Sequence, residues 1–285
     1  MIFCVTNMKG KKTMELTSEQ LTQFNRDGYI IFPELLNQKE IKILQSEVDR
    51  VSQIESEMVI REGEDETVKI MFRLHEDNGE TASPAFRAAA CSPRILGTAQ
   101  QCLGDDNLYL HHSKLNMKSA IEGSAWPWHQ DFHSWHLDGI KEPDMATMTV
   151  VLTEASPING CMYVLPGSHQ YGRSDPRWDD STAYNLWVAK TSDMKKYFKE
   201  FPDPVPIIGG PGTAAIFHCN LLHASGHNLS SEDRWQIFFC FNKCANRPDT
   251  VDNPRPDFVR STNWTPLRLS SNDSIIDHAK ISTVY

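Results

Sequence analysis

The chain has 285 residues, 40% of them hydrophobic, and a formal net charge of -9. This length and composition allow one large core, and the acidic balance argues against nucleic acid or an anionic membrane as partner. No apolar run approaches the 18 residues needed to cross a bilayer, and the N-terminus runs from apolar to basic, the reverse of a secretory signal.

The first predicted elements follow an N-terminal extension. Residues 1–13 show no periodic pattern, and we expect them to be disordered. Thr17 with Gln20 three positions later forms a capping box that begins a helix, and Asp27-Gly28 ends it. The next residues, Tyr29–Phe32, read as a short strand stopped by proline.

Three further helices are predicted before the β-rich part of the chain. Apolar residues at intervals of three and four predict a helix over residues 38–55. Residues 57–80 are charged and are expected to be irregular. Ser83-Pro84 and Ser92-Pro93 each combine a good N-cap with a proline suited to the first turn, so each is predicted to begin a helix.

The character of the sequence changes after Gly104. Short strand-like runs separated by Gly, Pro, Asn and Asp follow, at 107–117, 145–152, 161–165, 213–218 and 235–242. A helical first third before a β-rich remainder predicts a mainly β fold, a sandwich or barrel with helices packed outside.

The predicted organisation is one domain over residues 14–285. Helical support covers 14–104 and the β core covers 105–245. Within the core, residues 171–206 interrupt the β pattern, are rich in aromatic residues and are expected to be a lid. The tail over 246–285, rich in Asn, Asp, Pro and Arg, is expected to wrap the surface.

Histidines concentrate in two stretches, WPWHQDFHSWHLDG at 126–139 and FHCNLLHASGHN at 217–228. Two imidazoles and one carboxylate on one face of an octahedron are typical of non-haem iron(II) oxygenases. His129-x-Asp131 can supply two of them, because side chains two apart on a strand share a face. His136-x-Asp138 is a rival pair, although Asp138-Gly139 is typical of a turn.

The third ligand must come from a distant strand, and three histidines of the second stretch are candidates: His218, His223 and His227. The residue pattern alone leaves this choice open. His133, Trp135 and His136, which follow the first pair, are candidates for contacting a substrate. Among the segment 171–206, the aromatic residues Trp178, Tyr184 and Trp187 are candidates for enclosing it.

Residues 107–242 resemble the phytanoyl-CoA dioxygenase superfamily, most closely its ectoine-hydroxylase-like branch. The matching segments are, in order, HHSKLNMK, WPWHQDFHSWH, SPINGCMYVLPGSHQYG, GGPGTAAIFHCNLLHASGHN and DRWQIFFCFN. The resemblance implies a double-stranded β-helix, a cupin-like jelly roll with N-terminal helices on one side. It also implies a dioxygenase that uses Fe(II), 2-oxoglutarate and O2.

The same resemblance implies roles for individual residues. The distal iron ligand of the family lies in an H-x-S element, here His223-Ala224-Ser225, and the arginine that binds 2-oxoglutarate follows eleven residues later, at Arg234. A guanidinium suits that role because its planar fork binds a carboxylate through two nitrogens. Ser225 and Asn116 match positions that help to hold the co-substrate.

Trp126 or Trp128 is expected to form the apolar wall of the co-substrate site. No catalytic residue beyond the metal ligands is predicted. Since related halogenases lack the carboxylate ligand, Asp131 favours hydroxylation of an unactivated C–H bond, with succinate and CO2 as by-products; desaturation, demethylation and ring closure stay open.

The expected substrate is a small polar metabolite, amino-acid-derived or specialised. Ectoine itself is doubtful because the YPSR-type signature of that branch is absent. The alternatives are a zinc or manganese jelly-roll enzyme, which would not need Arg234, and a non-catalytic binding protein, which should have lost a metal ligand. Seven cysteines without a CxxC pair predict buried thiols in a reducing cytoplasm. We expect a monomer or homodimer with no nucleic-acid or membrane partner.

Overall fold

The computed structural model describes residues 4–6 and 12–282. Its helices are α1 (Ser18–Asp27), α2 (Gln38–Ser52), α3 (Pro84–Ala90), α4 (Leu96–Leu103), α5 (Phe132–Leu137), α6 (Thr191–Glu200) and α7 (Ser274–Ser282). Its strands are β1 (Cys4–Thr6), β2 (Lys12–Met14), β3 (Tyr29–Phe32), β4 (Val59–Glu62), β5 (Thr67–Phe72), β6 (Leu108–Lys118), β7 (Trp126–His129), β8 (Met145–Val151), β9 (Met162–Val164), β10 (Pro176–Asp179), β11 (Leu186–Ala189), β12 (Val205–Ile207), β13 (Ala214–His218), β14 (His223–Ser225) and β15 (Arg234–Lys243).

Two antiparallel sheets form the jelly roll. The larger has the strand order β3-β13-β8-β15-β6-β5-β4, and the smaller has the order β12-β9-β14-β7. Val164 and Ile207 of the small sheet pack in one cluster with Phe217 and Phe238 of the large sheet, so the two inner faces meet. The mainly β, cupin-like fold predicted from the sequence is confirmed.

The outer face of the large sheet is covered by helices, and its strands alternate accordingly. On β6, Leu115 and Met117 point toward the helices and join the main core. Asn116, which lies between these two residues, points into the space between the sheets, because side chains alternate along a strand. A bulge opposite Cys240–Phe241 of β15 reverses this alternation, so Leu108 and Leu110 also reach the helical side.

The start of the domain agrees with the capping signals. Thr17 accepts a hydrogen bond from the backbone N–H of Gln20, whose side chain accepts in return from the N–H of Thr17. Gly28 ends α1 with φ 82°, a left-handed conformation that glycine adopts at little cost. Strand β3 has the predicted bounds.

Three local predictions were wrong. Residues 57–80 are not irregular, because they contain β4 and β5, which extend the large sheet. Helix α4 begins at Leu96, three residues after Pro93, and the side chain of Ser92 makes no capping bond. The tail does more than wrap the surface, since its residues Val259 and Ile275 are buried in core clusters.

The predicted lid segment contains regular structure of its own. Strands β10 and β11 pair as a hairpin, and α6 follows. Strand β11 packs against β7, and its residues Leu186 and Val188 are buried beside Trp126. The hairpin therefore lies against the strand that ends at His129, two residues before Asp131.

The predicted disordered extension falls partly outside the described residues, since 1–3 and 7–11 are not described. The described parts of it belong to β1 and β2, which pair antiparallel. The prediction for residues 1–13 therefore stays a prediction. Across the described chain, no helix combines the length and apolar character needed to span a membrane.

Candidate active site

Three buried side chains converge between the sheets. His129 ends β7 and His223 begins β14, and these neighbouring strands place the two histidines directly opposite each other. Their ring centroids are 4.1 Å apart. Asp131, two residues after His129, places its Oδ1 atom 3.9 Å from the Nε2 atoms of both rings.

Backbone hydrogen bonds orient both imidazoles. The Nδ1 atom of His129 lies 2.7 Å from the carbonyl of Pro127, and that of His223 lies 3.0 Å from the carbonyl of Leu221. Carbonyls only accept, so each Nδ1 carries the proton and each Nε2 offers its lone pair toward Asp131. Burial lowers the pKa of His129 to about 3 and also lowers that of His223, which keeps both rings neutral.

This donor set fits a divalent transition metal. Each of the three residues offers one ligand atom, and these atoms lie within 4.8 Å of one another. Two neutral imidazole nitrogens and one carboxylate oxygen are the ligands of the facial triad. Among the described residues no other group of three potential ligands meets the same criterion.

The structure does not bring the rival ligands to this point. The carboxylate of Asp138 follows α5 and is bound by Arg255 at 2.5 Å and by His111 at 3.2 Å. His136 instead contacts the carbonyl of Ile140.

The two rival histidines of the second stretch are also engaged elsewhere or exposed. His218 accepts a hydrogen bond from the backbone N–H of Asn220 and packs against His169. His227 is exposed. Of the candidates for the third position, only His223 therefore stands beside His129 and Asp131.

All four residues predicted to bind the co-substrate line one narrow cavity with both histidines of the triad: Asn116, Trp126, Ser225 and Arg234. Trp128 lies elsewhere, since it packs with Phe198. The sequence left the choice between the two tryptophans open, and the structure places Trp126 in the cavity.

Arg234 is buried, and no carboxylate of the described residues bonds it. It is 2% exposed, and its Nη atoms donate to Gln236 and to the carbonyl of Gly160, each at 2.9 Å. Burial lowers its pKa to about 10, so it remains charged at neutral pH. A buried charge without a counter-ion is costly, which indicates that this cavity is built for an anion.

Three buried polar atoms in this cavity have no hydrogen-bond partner: Nε of Arg234, Nε1 of Trp126 and Oδ1 of Asn116. Buried polar groups are normally satisfied, so orphaned ones grouped in a cavity point to a polar ligand. Two of the three are donors, which suits the carboxylate oxygens of 2-oxoglutarate.

Sequence reasoning missed Lys114. It lines the same cavity, is 8% exposed, and its Nζ lies 5.1 Å from the ring centroid of Trp126 and 5.6 Å from that of Phe238. The signal was available, because Lys114 is two residues before Asn116 on the same strand and must share its face. It adds a second positive charge to the cavity.

A second chamber adjoins the triad on the side of the lid segment. Its lining includes His112, Trp126, Trp135, Tyr184, Trp187 and Arg255, together with His129 and Asp131. The chamber is small, about 20 Å³; aromatic rings form much of its wall, and Lys114, Asp131, Ser134 and Arg255 add polar groups. Arg255, which sequence reasoning also missed, comes from the tail and is held by Asp138.

The predicted substrate residues are divided between this chamber and its surroundings. Trp135 and Trp187 line it, whereas His133 lines an outer cavity of about 390 Å³ that shares Trp187 as a wall. Trp178 is half exposed and packs on Trp187, with ring centroids 5.2 Å apart. The remaining candidate, His136, packs on Phe132.

Comparison with known proteins agrees with the resemblance. A model of the phytanoyl-CoA dioxygenase (PhyH) family matches residues 24–235. The chain is 32% identical over 268 residues to an ectoine dioxygenase of Nocardia farcinica, covering 89% of this chain and 88% of the relative. It is 30% identical to an L-proline trans-4-hydroxylase of Streptomyces griseoviridis, with 86% and 92% covered.

Solved structures give the same picture. The crystal structure of EctD from S. alaskensis with 2-oxoglutarate and 5-hydroxyectoine matches with a TM-score of 0.78 and 28% identity, covering 90% of this chain and 88% of that one. The same enzyme with bound Fe matches with a TM-score of 0.77 and 26% identity, at the same coverage.

Proposed function

The chain belongs to the phytanoyl-CoA dioxygenase family and is a dioxygenase that uses iron, 2-oxoglutarate and O2, and we propose that it hydroxylates an unactivated C–H bond of a small, polar, amino-acid-derived metabolite. The observation that carries this proposal is the shared cavity. Both histidines of the candidate metal-ligand triad line the same narrow space as the buried guanidinium of Arg234, and the third member, Asp131, lines the adjoining chamber.

The side chains of this cavity have separate tasks in the proposal. His129, Asp131 and His223 hold the iron. When bound, the iron activates O2 together with 2-oxoglutarate, which is converted to succinate and CO2. Arg234 binds the distal carboxylate through the nitrogen atoms that Gln236 and Gly160 have already oriented, which reduces the entropy lost on binding.

Asn116, Ser225 and Trp126 complete the co-substrate site. Ser225 is buried and, like Asn116, lines the cavity, so both can hydrogen-bond the co-substrate. Trp126 lines both the co-substrate cavity and the aromatic chamber. It is the wall between them and limits the approach of water to the reacting atoms.

The aromatic chamber receives the substrate. Its small size and its tryptophan and tyrosine walls suit a compact ring or chain, and the charge of Arg255 is already offset by Asp138. The similar enzymes from Nocardia farcinica and Streptomyces griseoviridis are an ectoine dioxygenase and an L-proline hydroxylase. Both names denote small polar compounds, which supports the same class here.

Residues 171–206 act as the lid of this chamber. Tyr184 and Trp187 form part of its wall, and Trp178 packs on the outer side of Trp187. The chamber of about 20 Å³ is smaller than a metabolite, and movement of the β10–β11 hairpin, which supplies part of its wall, would enlarge it. His133 lies beside this path, in the outer cavity.

The test is succinate release with Fe(II), 2-oxoglutarate and a panel of free amino acids, cyclic amino-acid derivatives and specialised metabolites. One or more panel members should raise succinate release well above the substrate-free rate and gain one oxygen atom. If succinate release stays at the substrate-free rate with every compound, the proposed substrate class is wrong.

A further inference from the structure

Lys118, at the end of β6, is a fully buried lysine that bonds no carboxylate in the described part of the chain. Its relative exposure is 0%. Its Nζ donates to the backbone carbonyl of Ser124 at 2.7 Å and to that of Gly226. These two carbonyls belong to the loops after β6 and after β14, so Lys118 links the two loops that close this end of the sheets.

Lys118 stands directly behind Arg234. The guanidinium donates to the carbonyl of Gly160, and the Cδ atom of Lys118 lies 3.1 Å from the point where a Cβ of Gly160 would be. The two basic side chains thus flank the same glycine. Lys118 lies on the same face of β6 as Lys114 and Asn116, both of which line the co-substrate cavity.

The other charged and titratable groups around Lys118 do not supply a counter-ion. Lys69 of β5 is a further cation, and Glu62 of β4, the nearby carboxylate, is bonded by Lys69 at 2.7 Å and by Ser124 at 2.5 Å. The Cys161 thiol before β9 is neutral, because burial raises its pKa. In the loop after β6, Glu122 points to the backbone of Gly63 and Glu64.

Burial and repulsion therefore disfavour the charged form of Lys118. Burial is the largest cause, followed by the positive charges of Arg234 and Lys69, and together they lower the pKa of Lys118 to about 6. At pH 7 roughly one molecule in ten is then protonated at this site. A carboxylate bound at Arg234 would offset the repulsion and shift this equilibrium toward the ammonium form.

We propose that Lys118 is a positioning residue for the co-substrate: it takes up a proton when 2-oxoglutarate binds at Arg234, and the resulting ammonium strengthens that binding. This inference rests on the role of Arg234 given under the proposed function. The proton comes from solvent and is released when the dicarboxylate leaves. Because the bound form holds more protons, affinity falls as pH rises from 6 to 8.

The test is calorimetric titration of 2-oxoglutarate into the full-length protein loaded with Mn(II), which prevents turnover. Measurement in two buffers of different ionisation enthalpy gives the number of protons taken up. The wild type should take up at least about 0.3 proton per chain at pH 7, since even one unit of pKa increase raises the protonated fraction from about one tenth to about one half.

Variants assign the proton to its site. Lys118→Met should abolish the uptake, weaken 2-oxoglutarate binding about three- to tenfold at pH 6.5 and make its Kd independent of pH between 6 and 8. Lys243→Met is the matched control, because Lys243 lies at the opposite end of the same sheet and pairs with Asp144; it should behave as the wild type. Circular dichroism and melting temperature report whether each variant is folded.

The possible failures are distinguishable. If the wild type binds 2-oxoglutarate with no buffer-dependent heat, Lys118 has no such role, whatever the variants do. Uptake that persists in Lys118→Met places the proton elsewhere and also overturns the inference. If 2-oxoglutarate does not bind at all, or binds unchanged in Arg234→Met, the proposed function fails and the inference fails with it.

Discussion

Replacement of Arg234 by methionine should remove the main anchor of 2-oxoglutarate without leaving a large cavity. Arg234 is 2% exposed, its Nη atoms are already held by Gln236 and Gly160, and its Nε has no partner. The guanidinium is thus preorganised, and no carboxylate among residues 4–6 and 12–282 competes for it. Loss of one partner of such a desolvated charged pair costs about 2–5 kcal/mol.

That free energy corresponds to a roughly 30- to several-thousand-fold increase in the Kd of 2-oxoglutarate. The lower part of the range is expected, because Lys114 still supplies positive charge to the cavity. Stability should change less than affinity, since the variant also removes an unpaired buried cation.

The assay is calorimetric titration of 2-oxoglutarate into the Mn(II)-loaded protein, with the KM for 2-oxoglutarate as a second readout. Arg177→Met is the matched control, because Arg177 is a half-exposed arginine that pairs with Asp179 and lines neither the co-substrate cavity nor the aromatic chamber. An unchanged Kd in Arg234→Met, with the fold intact, would refute the assignment.

Three further predictions concern the lid, the N-terminus and pH. Replacing Tyr184 or Trp187 by Ala should raise the fraction of 2-oxoglutarate consumed without product while metal binding stays normal, and Trp178→Ala should have a smaller effect. If all three variants keep the wild-type fraction and only their melting temperatures fall, the segment is structural. Deleting residues 1–13 should leave melting temperature and turnover unchanged, and a large loss of either would show that the segment docks. Three buried histidines have a pKa of about 3 to 4 in the folded protein, below that of a histidine in the unfolded chain. As the pH falls from 6.5 to 4, the unfolded chain therefore binds protons that the folded protein does not, and the free energy of unfolding of the metal-free protein should fall. The histidines concerned are His75, His129 and His218. Each should lower the free energy of unfolding by up to about 1.4 kcal/mol per pH unit. Urea unfolding curves that do not change with pH would contradict this prediction.

The sequence predicted correctly those elements whose ends are determined by contacts between residues close together in the chain. The Thr17 capping box and Gly28 fix the ends of α1 through contacts within a few residues. His129 and Asp131 do lie close together as predicted, but the predicted reason was wrong: β7 ends at His129, and Asp131 has helical backbone angles at the start of α5. Selecting His223 from three histidines required the family resemblance, since only the register of β14 against β7 distinguishes it.

The features that sequence reasoning missed depend on distant contacts. Strand β4 reads as irregular because it is charged, yet Glu62 is stabilised by Lys69 on the neighbouring strand. The tail reads as surface because it is polar, yet Arg255 forms a partly buried ion pair with the buried Asp138, 117 residues away. Lys114 was missed because Asn116 was identified from the family resemblance, and the alternation of side chains along the strand, which puts Lys114 on the same face, was not applied there.

The central claim is that His129, Asp131 and His223 hold the iron of this dioxygenase. Anaerobic titration with Fe(II) in the presence of 2-oxoglutarate tests it most directly, with His223→Ala compared against His227→Ala, an exposed histidine four residues away. The account predicts one Fe(II) per chain in the wild type and in His227→Ala, and a loss of most bound iron in His223→Ala. Full iron binding by a folded His223→Ala variant would contradict it.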